Sequence, residues 1–184
     1  AGSTWKEDEQ VLKDVLTEID KYSLKLIVAP HEINEEHIQW LQKLFPGAVL
    51  FSSLKDGRHI TGNCLIIDNI GMLARLYWYG YVSYVGGGFT RDGIHNVLEA
   101  AVYGKPVIFG PNFKKYKEAI DLLNANAAFS FSAKEGLKQA ILKLVNNLEL
   151  YQQSSAAARK YVINNVGATE KILRYVYENR LLTS

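Results

Sequence analysis

Six short runs of nearly unbroken apolar residues recur along this chain, at 24–29, 48–51, 64–67, 81–85, 106–109 and 127–131. Runs of that length without polar alternation fit parallel strands covered on both faces. Helical patterns separate them, at 5–21, 35–45, 70–79, 96–103 and 114–124. Parallel neighbours need a crossover, and crossovers of this kind are right-handed. These constraints leave an α/β fold: a Rossmann-like, doubly wound parallel sheet of about six strands. Beyond Ser132 the strand pattern stops and three helical stretches close the chain, at 134–147, 149–165 and 169–180. No linker or repeat interrupts the sequence, so residues 1–184 read as one domain.

Local signals punctuate this layout. Thr4, with Glu7 three residues on, has the form of a capping box ahead of Val11, Leu12, Val15, Leu16 and Ile19. The charge run Lys6-Glu7-Asp8-Glu9 reads as a solvated helix face. Gly104 sits where a helix ends, and Lys55-Asp56-Gly57-Arg58 reads as a turn. The stretch 70–89 carries a single charge, Arg75, and is long enough to span a membrane. Its glycines divide it into a helix and a strand, and the N-terminus carries no leader pattern.

The chemistry concentrates after the fourth apolar run. There Val85 leads into Gly86-Gly87-Gly88, followed by His95-Asn96-Val97-Leu98-Glu99 at the start of a helical pattern. Backbone without side chains can approach a phosphate, and a helix start offers it unpaired N–H groups. Glycines also serve close packing, and both readings stand. Glu99 is placed to accept from the hydroxyls of a ribose, or to complete a capping box with Asn96. His95 is a donor to a phosphate, its pKa raised by that anion. Ser3 and Thr4 either cap the first helix or face an anion. The loops Pro30-His31-Glu32 and Asp68-Asn69-Ile70-Gly71, each ending a strand, frame a base or simply build turns.

Other chemistries fall away. Counted from Gly86, the third glycine of a dinucleotide fingerprint is Arg91, and no Walker lysine follows. No Asp-x-Asp occurs, His31 and His37 do not share a helix face, and no serine stands in a nucleophile elbow. The net charge of +2, with basic residues scattered, gives no nucleic-acid footprint. Tyr77, Trp78, Tyr79 and Tyr81 are explained by helix packing. Cys64, alone in an apolar run, reads as a buried reduced thiol.

Taken in order, several segments resemble the C-terminal half of bacterial 3-deoxy-D-manno-octulosonic acid (Kdo) transferases. They are Ala1-Gly2-Ser3-Thr4 with its acidic first turn, Val28-Ala29-Pro30-His31-Glu32, Asp68-Asn69-Ile70-Gly71-Met72-Leu73, Tyr84-Val85-Gly86-Gly87-Gly88, 95–101 and 104–111. The resemblance implies one half of a two-domain GT-B glycosyltransferase. That half binds CMP-Kdo, and the enzyme moves Kdo to a lipid A precursor in lipopolysaccharide biosynthesis. Transfer is inverting and needs no metal or other cofactor. It occurs at the cytoplasmic face of the inner membrane, and the catalytic base lies in an N-terminal acceptor domain absent from these residues. This chain is then expected to be soluble, to bind donor and not to transfer sugar. Its donor site is expected to comprise Ser3, Thr4, His31, Ile70, Gly71, Gly87, Gly88, His95, Asn96 and Glu99. Alternatives are a GT-B donor domain for a UDP- or GDP-sugar, or a stand-alone nucleotide-binding module. The chain departs from the family pattern where no arginine separates Pro30 from His31, which shifts an anion contact towards Arg58, Arg91 or Lys105. Met72, Asp92 and Ile94 are further departures.

Overall fold

The computed structural model of the protein describes residues 1–18, 22–54 and 62–181. The 55–58 turn, Arg58 and the expected end of the first helix lie outside the described residues. The chain runs β1 (Gly2–Thr4), α1 (Lys6–Glu18), β2 (Leu26–Pro30), α2 (Glu35–Leu44), β3 (Val49–Leu50), β4 (Cys64–Ile66), α3 (Leu73–Leu76) and β5 (Ser83–Val85). It continues with α4 (Leu98–Ala101), β6 (Val107–Phe109), α5 (Lys117–Asn124), β7 (Ala128–Ser130), α6 (Lys134–Asn146), α7 (Leu148–Asn164) and α8 (Ala168–Glu178). Every strand pairing is parallel, and the sheet order is β3-β4-β2-β1-β5-β6-β7.

The expected doubly wound parallel sheet is present, with seven strands among the described residues. The additional strand is β1, whose Gly-Ser-Thr sequence carries no apolar run. It nevertheless lies at the centre of the sheet, paired to β2 through Gly2↔Ala29 and to β5 through Gly2↔Val85. Glycine is demanded at position 2, because the Tyr77 hydroxyl and Leu73 fill the space a Cβ would need. This packing accounts for Tyr77, which is buried, whereas Trp78 and Tyr79 remain exposed.

Alternation along the strands divides the core. Val85, Val107 and Phe109 join Ile94, Val97, Ala100, Leu122 and Ala158 on one side of the sheet. Tyr84 and Ile108, one residue out of phase, join Leu12, Val15, Leu137 and Leu144 on the other. Both faces are covered, which is why these strands read as continuous apolar runs. Cys64 is buried in the same sheet, and burial pushes its thiol up to about 12, leaving it protonated and inert.

Gly104 closes the turn after α4 at φ +63°, with its N–H donated to the Ala101 carbonyl at 2.9 Å. An L side chain pays for that left-handed backbone, so Gly104→Ala is expected to lower stability by about 1 kcal/mol. Urea unfolding checks this, with an unchanged slope showing that only the native turn has been strained.

Candidate functional site

The sheet fixes where a ligand can enter. From β1 the chain crosses outward to β2, and on the other flank β5 leads outward to β6, so strand order reverses between β1 and β5. Loops leaving adjacent strands there turn in opposite directions and open a crevice at the carboxyl edge. Four of the segments singled out in the sequence reach that edge. They are Ser3-Thr4 at the end of β1, His31 just past β2, Gly86-Gly87-Gly88 just past β5, and the 95–99 stretch beyond it.

Ser3 holds φ +51° at a register irregularity in β1, a left-handed backbone that a non-glycine residue adopts at a cost. Its carbonyl and the Thr4 backbone lie so close to Gly86 that a Cβ there would meet the Ser3 oxygen at 2.2 Å. Gly88 similarly faces Gly110. Close packing is therefore one task of these glycines.

Of the run Lys6-Glu7-Asp8-Glu9, only Lys6 and Glu7 form the expected solvated face. Asp8 and Glu9 are fully buried. Asp8 accepts from the Trp5 N–H (3.0 Å), the Gly87 N–H (2.9 Å) and the Tyr84 hydroxyl (2.6 Å). The helix thus begins one residue later than the expected Thr4–Glu7 box, with Trp5 before its first residue and Asp8 returning a carboxylate to it. Burial raises the Asp8 pKa, while Tyr84, Gly87 and Trp5 oppose that rise by hydrogen bonding to the ionised form. Glu9 accepts from the Thr4 hydroxyl at 2.8 Å, and its other oxygen meets His37 Nε2 at 2.8 Å. That buried pair ties α1 to α2, and burial raises the Glu9 pKa against the pull of His37 and Thr4.

Two expectations change here. Thr4 is fully buried and its hydroxyl is used by Glu9, so it supports the site from beneath rather than facing the cleft or capping the helix. The Gly87 N–H points at Asp8, so it is not available to a phosphate. Asp8 and Tyr84, neither expected in the donor site, instead hold the glycine loop against α1.

Three aromatic rings line the carboxyl edge. His31 and His95 stack with centroids 4.4 Å apart and planes 25° apart, and Trp5 lies 4.6 Å from His31. The Trp5 indole donates to His95 Nε2 at 3.2 Å. Burial, then the neighbouring His31, lowers the His95 pKa.

Helix α4 is shorter than the 96–103 pattern implied, a single turn from Leu98 to Ala101. One turn sums few peptide dipoles, so the helix-end contribution expected at His95-Asn96 is small. Asn96 lies before the α4 N-cap, Val97, and its side chain closes the turn leading in, accepting from the Leu98 N–H at 3.0 Å. Glu99 does not complete a capping box: its carboxylate takes the Asn96 side-chain amide at 3.4 Å and stays half-buried. A cavity of about 490 Å³ opens against Ile94, His95, Asn96, Tyr116 and Glu118. The apolar cavity of about 370 Å³ against Ala1, Leu26 and Val82 lies at the opposite edge of the sheet.

Ile70 and Gly71 follow β4, on the same edge but beyond β2, with Ile70 89% exposed and Gly71 at φ +94°. Asp68 turns back to accept from the Ser52 N–H and hydroxyl, so its role is in the turn. Of the cations considered for the missing arginine, Lys105 precedes β6 at the opposite edge and rests over Trp78. Arg91 lies exposed on the loop after β5. Ile94 is buried and fixes that loop through Asn112, while the Asp92 carbonyl accepts from the Tyr116 hydroxyl.

No family model matches the chain. It is 31% identical over 132 residues to a 3-deoxy-D-manno-octulosonic acid transferase of Aquifex aeolicus, covering 70% of this chain and 36% of that protein. A protein of the same description from Chlamydia muridarum is 29% identical over 171 residues, covering 91% of this chain and 39% of that one. The chain thus spans less than two-fifths of the length of these curated relatives. Among solved structures, the C-terminal CMP-Kdo binding domain of WaaA from Acinetobacter baumannii superposes with a TM-score of 0.76 at 22% identity, covering 88% of this chain and 86% of that one. A glycosyltransferase from Rickettsia africae gives 0.63 at 19%, covering all of this chain and 47% of its own. These likenesses establish a Rossmann-like half of a GT-B fold, and the sequence kinship with Kdo transferases extends over most of the chain. Among the described residues, no helix is long and apolar enough to cross a membrane.

Proposed function

Starting from kinship with the Kdo transferases, we propose that this chain is the donor-binding half of such an enzyme and holds CMP-Kdo at the β1/β5 crevice. The observation that carries this reading is the meeting of Ser3, His31, the glycine loop and His95-Asn96-Glu99 on one edge of the sheet. It is supported by sequence similarity over 70% and 91% of this chain to two proteins of that description. Glu99 holds the ribose diol, since among the described residues its carboxylate accepts a single, long hydrogen bond. His95 donates to the phosphate, and Arg91 adds charge from the same loop. The Ile70-Gly71 turn and the His31 loop bound the cytosine, and Ser3 faces the sugar carboxylate.

The leaving CMP develops negative charge, which fixed donors can stabilise without a metal ion. The catalytic base and the lipid A precursor site belong to a separate acceptor half, so this chain alone binds donor without transferring Kdo. The complete inverting enzyme works in lipopolysaccharide biosynthesis at the cytoplasmic face of the inner membrane.

Calorimetric titration of this chain with CMP, UDP and GDP, with and without magnesium, tests the reading. Selective binding of CMP with no gain from magnesium is expected. Preference for UDP or GDP would reassign the donor within the same fold, and silence towards all three would overturn the proposed nucleotide site.

A further inference from the structure

We infer that Trp5 is a positioning residue that fixes His95 as a neutral imidazole with its proton on Nδ1, so that the crevice offers its anion an uncharged donor. The inference rests on hydrogen-bond chemistry at three adjacent strand ends. Trp5 follows β1, His31 follows β2, and His95 lies beyond β5, and those strands are neighbours in the order β2-β1-β5. An indole N–H can only donate. His95 Nε2, 3.2 Å from Trp5 Nε1, must therefore be the unprotonated nitrogen, which leaves Nδ1 to carry the hydrogen.

Protonating His95 would break this contact and set two N–H groups against each other. It would also place a cation in a ring stack with His31, 4.4 Å away. On α5, Glu118 lines the cavity beside His95 and makes no hydrogen bond to its ring. On α1, Asp8 is turned to Trp5, Gly87 and Tyr84, and Glu9 to Thr4 and His37. On α4, Glu99 is turned to Asn96. Among the described residues no carboxylate is hydrogen-bonded to the His95 ring, and the lowered pKa from burial and His31 agrees. The sign follows from linkage. A histidine whose proton is disfavoured by the fold gives stability above its unfolded pKa, and that stability is lost as pH falls towards the folded value.

For the nucleotide site proposed above, on which this use of His95 rests, the consequence concerns affinity. A neutral donor binds a phosphodiester with a strength that does not follow histidine titration. The test begins without ligand: nitrogen-15 spectra of the His95 ring in the intact chain, recorded across a pH titration. The Nδ1–H tautomer is expected, and in Trp5→Phe the ring should titrate at higher pH and lose its single tautomer. A proton on Nε2 in the native chain overturns the inference, and this readout does not depend on Trp5→Phe folding. An unchanged titration in a folded Trp5→Phe overturns it too.

The second arm uses the methyl ester of CMP, because its phosphodiester keeps one charge where a monoester would titrate. Its affinity in the native chain is expected to be level between about pH 6 and about pH 8, and to rise several-fold towards the lower pH in Trp5→Phe. Native affinity that itself rises several-fold towards low pH overturns the inference. Failure of every nucleotide to bind overturns the function proposed above, while the ligand-free spectra still decide the state of His95.

Discussion

Asp8→Ala is expected to be among the most damaging single substitutions in the chain, lowering stability by about 3–5 kcal/mol. The carboxylate accepts three donors from three parts of the fold: the Trp5 N–H at the start of α1, the Gly87 N–H of the loop after β5, and the Tyr84 hydroxyl from within β5. Alanine leaves all three without that acceptor around a fully buried position, and each orphaned buried donor costs about 1–3 kcal/mol. Asn in place of Asp8 separates the polar from the steric account. Its single oxygen can take the two backbone N–H groups, which share one carboxylate oxygen in the native chain, and Tyr84 can rotate its hydroxyl to accept from the amide. Asp8→Asn should therefore cost about 1–2 kcal/mol. Urea unfolding measures both, and hydrogen exchange at Gly87 reports whether the loop has come loose from α1. A loss within about 0.5 kcal/mol for Asp8→Ala would show that the three contacts do not act as the tether described.

That tether also marks the boundary of what the sequence discloses. The alternation of apolar runs and helical patterns was enough to read a doubly wound sheet, because strands buried on both faces leave no other imprint. The central strand escaped because its three residues, Gly2-Ser3-Thr4, are selected by close approach to Tyr77, Leu73 and Gly86 rather than by hydrophobicity. Asp8 and Glu9 escaped for a related reason. A charge run at a helix start is ordinarily solvated, and its burial follows only once β5, Tyr84 and His37 are brought above it. Their one local signal was spacing. Asp8 and Glu9 precede Leu12 and Val15 by three to seven residues, and so share the face that carries these core side chains. His31, the glycine loop and His95 were legible as residues of the candidate site because each follows a strand, and the edge of the sheet collects them. The indole contact that sets the state of His95 spans 90 positions and has no sequence signature.

Glu99 gives the sharpest separation between folding and binding. Among the described residues its carboxylate receives only the Asn96 amide, at 3.4 Å, so Glu99→Gln should change stability by no more than about 0.5 kcal/mol. If the same carboxylate accepts from a ribose, the variant loses a charge-assisted hydrogen bond, and CMP binding should weaken by about 1.5–3 kcal/mol, or roughly 10- to 150-fold. Removing the hydroxyls from the nucleotide should do the same from the other side. The two changes together then form a cycle: 2′,3′-dideoxy-CMP should bind the native chain as poorly as CMP binds Glu99→Gln, and the variant should barely distinguish the two nucleotides. Equal, additive losses would mean that carboxylate and diol do not meet. An unchanged affinity for CMP in Glu99→Gln would confine Glu99 to steadying Asn96 at the start of α4, and the ribose would have to be held elsewhere on the crevice edge.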